Sequence, residues 1–120
     1  YLTKRAGHMT AKGRLMGVQY EAAFTPGEDG ALPYLRYAAN ANACAVKLAE
    51  GLVEAGLEPY AVTPGNQQFF WATRPVADAI SGACGAEISY VQGRPVLRFV
   101  TSWATTAADV DELIAFVRTL

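Results

Sequence analysis

The sequence predicts an α+β layer, a small antiparallel or mixed sheet covered by helices. Three observations carry this expectation. Apolar positions alternate between a spacing of three or four and short extended runs, in the order helix, helix, two strands, helix, two strands, helix. Turn-forming stretches separate these segments: TPGEDGALP at 25–33, TPGN at 63–66, and Gly93. The 120 residues are 52% hydrophobic and 18% charged, enough apolar surface for one core.

The first segment, residues 2–24, places Leu2, Ala6, Met9, Met16, Tyr20 and Phe24 at helical spacing. Gly7, Gly13 and Gly17 interrupt it, each at a cost of about 1 kcal/mol relative to alanine. Either the helix is imperfect or something approaches its backbone closely. Residues 33–55 form the clearest helix. Pro33 suits its first turn, Leu35, Ala38, Asn42, Ala45, Leu48 and Leu52 follow one face, and Gly56 suits its stop. YAVTPGNQQFFWAT reads as two extended pieces around the TPGN turn. RPVADAISGACG reads as a short helix opened by Pro75 and closed near Gly85. EISYVQGRPVLRFVT reads as a hairpin turning at Gly93, with Val96, Leu97, Phe99, Val100 and Trp103 as its buried positions. The last helix starts at Thr105 or Thr106 as N-cap and carries Val110, Leu113, Ile114 and Val117 as its apolar stripe.

Composition excludes several function classes. Ten basic and eleven acidic residues leave a net charge of −1, which argues against a nucleic-acid surface. No apolar run approaches the ~20 residues of a membrane span. One histidine and two distant cysteines make no zinc site. Cys44 and Cys84 read as free thiols of a reducing compartment. The start, YLTKRAGHM, has no initial methionine and no apolar signal core, and it reads as an internal segment of a longer protein.

Two places can carry chemistry. Strand alternation sets Val96, Arg98, Val100 and Ser102 on one face, apart from Leu97, Phe99 and Thr101. A guanidinium inside a strand needs an anion. That anion is either an acidic side chain of the fold, such as Glu87 or Asp111, or a ligand's carboxylate, whose two oxygens match the arginine fork. The second place is HMTAKGRLMG, where Lys12 and Arg14 flank Gly13. They form either a solvated helix face or a holder for a phosphate. Asp109, Asp111 and Glu112 are explained by capping and solvation. ANANACA reads as tight helix packing, while Asn66 and Gln67 are candidates for lining a pocket.

The stretches KRAGHMTAKGRLMGVQYEA, NANACAVKLAEGL and VLRFVTSWATTAADVDELIAF together resemble the C-terminal part of low-specificity L-threonine aldolases, in the family's order and at about its spacing. That family lies in the β-eliminating lyase group of fold type I pyridoxal-phosphate enzymes. The resemblance runs from Lys4 to Val117 and is weak over 58–93, apart from the N-x-x-F stretch at Asn66 to Phe69. It implies that 1–32 is a helix and linker leading from a large domain that is not in this chain. It implies that 33–120 is the small C-terminal domain, with a three- to four-stranded, mostly antiparallel sheet covered by helices.

The resemblance also implies a division of labour. The Schiff-base lysine, the aromatic residue stacking on the cofactor ring and the acid holding its nitrogen belong to the large domain. Lys4, Lys12 and Lys47 match none of these, so the chain alone should be inactive. Arg98 corresponds to the arginine that grips the substrate's α-carboxylate. Lys12 and Arg14 correspond to cations near the cofactor phosphate of a neighbouring subunit, although Gly13 departs from the family's bulkier residue. His8 receives no catalytic role. The implied reaction is cleavage of L-threonine or L-allo-threonine to glycine and an aldehyde, with pyridoxal 5′-phosphate, in a cytoplasmic homodimer or homotetramer. Alternatives are another fold type I lyase, such as a phenylserine aldolase, or a non-catalytic binding or oligomerisation module in which Arg98 makes only a salt bridge.

Overall fold

A computed structural model describes residues 12–120. The helical positions at Leu2, Ala6 and Met9, together with Lys4, Gly7 and His8, lie outside the described residues. The chain divides into two compact units, the first ending at Arg36 and the second being Tyr37–Leu120.

The first unit holds α1 (Gly13–Phe24). None of its residues is buried. The apolar spacing of Met16, Tyr20 and Phe24 instead forms a surface row, in which Tyr20 and Phe24 lie 6.3 Å apart and Phe24 stacks on Tyr34 at 4.8 Å. Among the described residues, nothing lies within 4 Å of where side chains at Gly13 and Gly17 would begin.

α2 (Pro33–Glu54) is followed by β1 (Glu58–Ala61), β2 (Gln67–Trp71), α3 (Arg74–Cys84), β3 (Glu87–Val91), β4 (Arg94–Val100) and α4 (Ala107–Val117). The order of elements is the expected one. The sheet runs β1-β2-β4-β3, and every neighbouring pair is antiparallel. Antiparallel pairing suits the short β1–β2 and β3–β4 connections, since parallel neighbours would need a crossover of a dozen or more residues.

Helix positions 41, 44, 45, 48, 51 and 52 of α2 are buried. Of the expected stripe, Ala45, Leu48 and Leu52 are buried and Ala38 is half-buried, while its Leu35 and Asn42 edge gives way to Ala41, Cys44 and Gly51. Leu35 and Asn42 are exposed, while Cys44 and Gly51 face inward. The 3.6-residue period admits both edges, and packing against α4 selects the one with small residues. The core joins Cys44, Leu48 and Leu52 of α2, Ala77 and Ile80 of α3, and Val110, Ile114 and Val117 of α4 to Phe70, Leu97 and Phe99 of the sheet. Phe70 and Phe99 meet edge to face at 6.2 Å.

The β3–β4 hairpin turns through Gln92 and Gly93, with φ of 50° and 79°. Two consecutive left-handed residues match the right-handed twist of the strands they join. α4 opens with a capping box: Thr106 Oγ1 accepts from the Asp109 N–H at 3.2 Å, and the Thr106 N–H donates to Asp109 Oδ2 at 2.8 Å. Thr106, rather than Thr105, is the N-cap. The expectation of buried Val100 and Trp103 is overturned. β4 ends at Val100, which is 55% exposed, and Trp103 is 69% exposed in the following loop. Hydrophobic character alone did not distinguish the strand from its continuation. No helix among the described residues is long and apolar enough to cross a membrane.

Candidate functional site

The site is built on the middle of β4. Leu97 and Phe99 point into the helix-packed core, so alternation sends Arg98 to the opposite face. In register, Arg98 stands opposite Phe69 of β2 on one side and Glu87 of β3 on the other. Its Nη2 donates to Glu87 Oε2 in an ion pair. The pair is not buried: the side chains are 42% and 61% exposed. The Nε of the same guanidinium is buried and has no hydrogen-bond partner among the described residues. One end of the fork is thus tied to a strand neighbour and another part is left unmatched. Asp111, the other acid considered for Arg98, instead takes Lys47 at 2.6 Å.

Arg98 and Glu87 also border a cleft of about 320 Å³, with Cys84, Thr101, Thr105 and Asp109 among its other polar lining residues. The Thr106 N–H and then the Thr106 hydroxyl hold the Asp109 carboxyl below its ordinary 3.8. Asp109 is therefore a cap held as a carboxylate.

The segment after β4 is fixed by residues whose role the sequence reading did not find. Asn40 Nδ2 donates to the carbonyls of Ser102, Trp103 and Thr105, the last at 2.9 Å. Thr101 Oγ1 donates to the Ala41 carbonyl at 2.7 Å. Asn66 donates to the Thr101 carbonyl at 2.7 Å and accepts from the Thr101 N–H at 3.0 Å. Asn66 is thus a backbone clamp. Gln67 pairs with Val100 in register and is exposed. The one available signal was the pair of asparagines in NAN, polar groups inside a helix that need partners.

Lys12 and Arg14 belong to the first unit, and Arg98 belongs to the second. Lys12 is the N-cap of α1, Arg14 lies in its first turn, and that turn holds no acidic residue. Both cations are exposed, and neither enters an ion pair among the described residues. Two cations beside a helix N-terminus are a donor set suited to a phosphate. Cys44 and Cys84 are both free, the first buried and the second exposed.

The chain matches no protein-family model. Over 119 residues it is 31% identical to a low specificity L-threonine aldolase of Pseudomonas sp. (strain NCIMB 10558), covering 98% of this chain and 33% of that protein. This chain is similar to the C-terminal third of a threonine aldolase. It therefore spans about a third of the length of the curated relative it matches. A threonine aldolase structure from Leishmania major superposes with a TM-score of 0.72 at 24% identity, over 98% of this chain and 34% of that one. An 8-amino-7-oxononanoate synthase from Francisella tularensis gives 0.59 at 10% identity, over 68% of this chain and 26% of its own. These likenesses agree with the α+β fold class, four antiparallel strands with helices.

Proposed function

We propose that this chain is the C-terminal part of a pyridoxal-phosphate-dependent aldolase. The enzyme cleaves β-hydroxy-α-amino acids such as threonine to glycine and an aldehyde. Residues 33–120 serve as its small domain and 1–32 lead into it. The observation that carries the reading is Arg98. It lies in a stretch similar to a threonine aldolase, on the sheet face opposite the core, with a partly exposed side chain. Arg98 binds the α-carboxylate of the amino acid. Two parallel N–H donors hold both oxygens and fix the rotation of the substrate, so the Cα–Cβ bond is kept in one orientation.

Lys12 and Arg14 suit the cofactor's phosphate by charge and by their place at the α1 N-terminus. When bound, pyridoxal phosphate supplies an electron sink for the cleaved bond. Lys47 is engaged by Asp111 and by the Ala107 carbonyl, which supports a Schiff-base lysine elsewhere in the full protein. The two free thiols fit a reducing compartment such as the cytoplasm. A homodimer or homotetramer is the assembly this reading expects.

The test uses the full-length protein supplied with pyridoxal phosphate. Its visible absorbance is recorded, glycine and L-threonine are added, and aldehyde is assayed. A cofactor band that shifts with glycine, with aldehyde released from threonine, supports the proposal. No band would overturn it. A second reading rests on the Arg98–Glu87 ion pair: a binding or oligomerisation module in which that pair only ties the hairpin together. Absence of any cofactor band would favour that module.

A further inference from the structure

We propose that Glu87 is a built-in placeholder for the ligand carboxylate, occupying Arg98 when the site is empty and yielding it when an amino acid binds. This rests on the reading of Arg98 as the carboxylate receptor.

Three features of the pair support the proposal. First, Glu87 faces Arg98 in register across the β3–β4 hairpin, so its carboxylate is held beside the guanidinium by the backbone ladder rather than by a chance surface encounter. Second, the engagement is incomplete. It runs from Nη2 to Oε2 alone, so among the described residues a single guanidinium nitrogen meets the Glu87 carboxylate. A two-oxygen ligand can satisfy more of the fork than Glu87 does. Third, the pair is easily opened. Both side chains are substantially exposed, and ion pairs of that kind hold weakly against water.

A carboxylate that is present, incompletely matched and weakly held has two consequences for the site. It keeps the guanidinium aimed along the sheet between turnovers. It also competes with any incoming anion, by charge and by position, so only a ligand that offers a better-matched carboxylate displaces it. Glu87 is in this sense a specificity-determining residue. It sets a threshold for carboxylate ligands, which must displace it from Arg98, and leaves untouched any ligand that binds with the Arg98–Glu87 pair closed.

The test is calorimetric titration of the full-length holoenzyme with glycine and with glycinamide, which keeps the amine but lacks the carboxylate. Glu87→Gln removes the competing charge and keeps the shape. Glu87→Thr, compatible with a strand, repeats the test without the amide. Glu87→Gln and Glu87→Thr should each tighten glycine by about two- to fivefold, the range that an exposed pair supplies. Glycinamide should bind these variants and the parent alike. Arg98→Lys should weaken glycine by about tenfold or more. If Arg98→Lys weakens glycine but the Glu87 variants leave it unchanged or weaker, the placeholder is wrong and the receptor reading stands. If glycinamide affinity changes as much as glycine affinity, in either direction, Glu87 acts on the whole site rather than through the carboxylate position, and the placeholder is again wrong. If Arg98→Lys binds glycine like the parent, the receptor reading falls and takes the placeholder with it.

Discussion

Gly51 of α2 lies where a β-carbon would run into the Cδ1 and Cγ1 atoms of Ile114 in α4. The two helices approach at a point where one residue has no side chain and the other is buried at 7% exposure. Gly51→Ala gains about 1 kcal/mol in helix propensity. The overpacking it creates costs typically about 1–3 kcal/mol. The expected net result is a lower denaturation midpoint. Ile114→Val removes the colliding Cδ1, so the double variant Gly51→Ala/Ile114→Val should be more stable than the two single effects sum to. Simple additivity in a double-mutant cycle would show that this helix contact is not tight.

Arg98→Lys separates affinity from folding. A lysine keeps the charge and loses the fork. In the full-length enzyme it should lower threonine cleavage at sub-saturating substrate by about tenfold or more. The thermal midpoint should move little, because an exposed pair contributes at most about 1 kcal/mol. Near-normal affinity and rate in Arg98→Lys would remove the carboxylate role.

Lys12 and Arg14 are tested by comparing two cofactor forms. Lys12→Ala/Arg14→Ala should weaken binding of pyridoxal phosphate, measured by titrating the apo-protein. It should leave binding of pyridoxal, which lacks the phosphate, unchanged. Equal weakening of both forms would point to a general loss of structure, and no change in either would return these cations to a solvated helix face.

The α4 capping box carries a pH signature. Asp109 is held below its ordinary 3.8 by Thr106, so its folded pKa is lower than its unfolded one. A depressed carboxylate contributes stability above the unfolded value, and that contribution is lost as pH falls through the folded one. The parent should therefore be more stable than Asp109→Asn near neutral pH, and the difference should shrink below about pH 4. Thr106→Ala alone should cost roughly 1 kcal/mol. A parent-minus-variant difference that stays constant from pH 7 to pH 3 would contradict the coupling.

Much of the fold was legible because its signals are local. Pro75 opening a helix, the Gly93 turn and the Thr106 cap act through neighbours a few residues away. Trp103 was misread for the same reason. An apolar residue three positions beyond a strand looks like its continuation, and only the hydrogen bonds from Asn40 show that a loop has begun. On α2 the sequence shows Ala45, Leu48 and Leu52 of the buried face but not Ala41, Cys44 and Gly51, which are small and carry little hydrophobic signal.

The sequence by itself determined that Arg98 is separated from Leu97 and Phe99 by strand alternation, and that it needs an anion. It left Glu87 and Asp111 equally available. Tertiary structure decided between them: the β3–β4 register sets Glu87 opposite Arg98, while α4 delivers Asp111 to Lys47. The strand order β1-β2-β4-β3 was likewise a tertiary decision, joining residues 67–71 to 94–100 across an intervening helix and strand. The physical reason is range. Periodicity, caps and turns are fixed by atoms within one or two turns of the chain, whereas a partner is chosen by which distant segments can bury their apolar faces together.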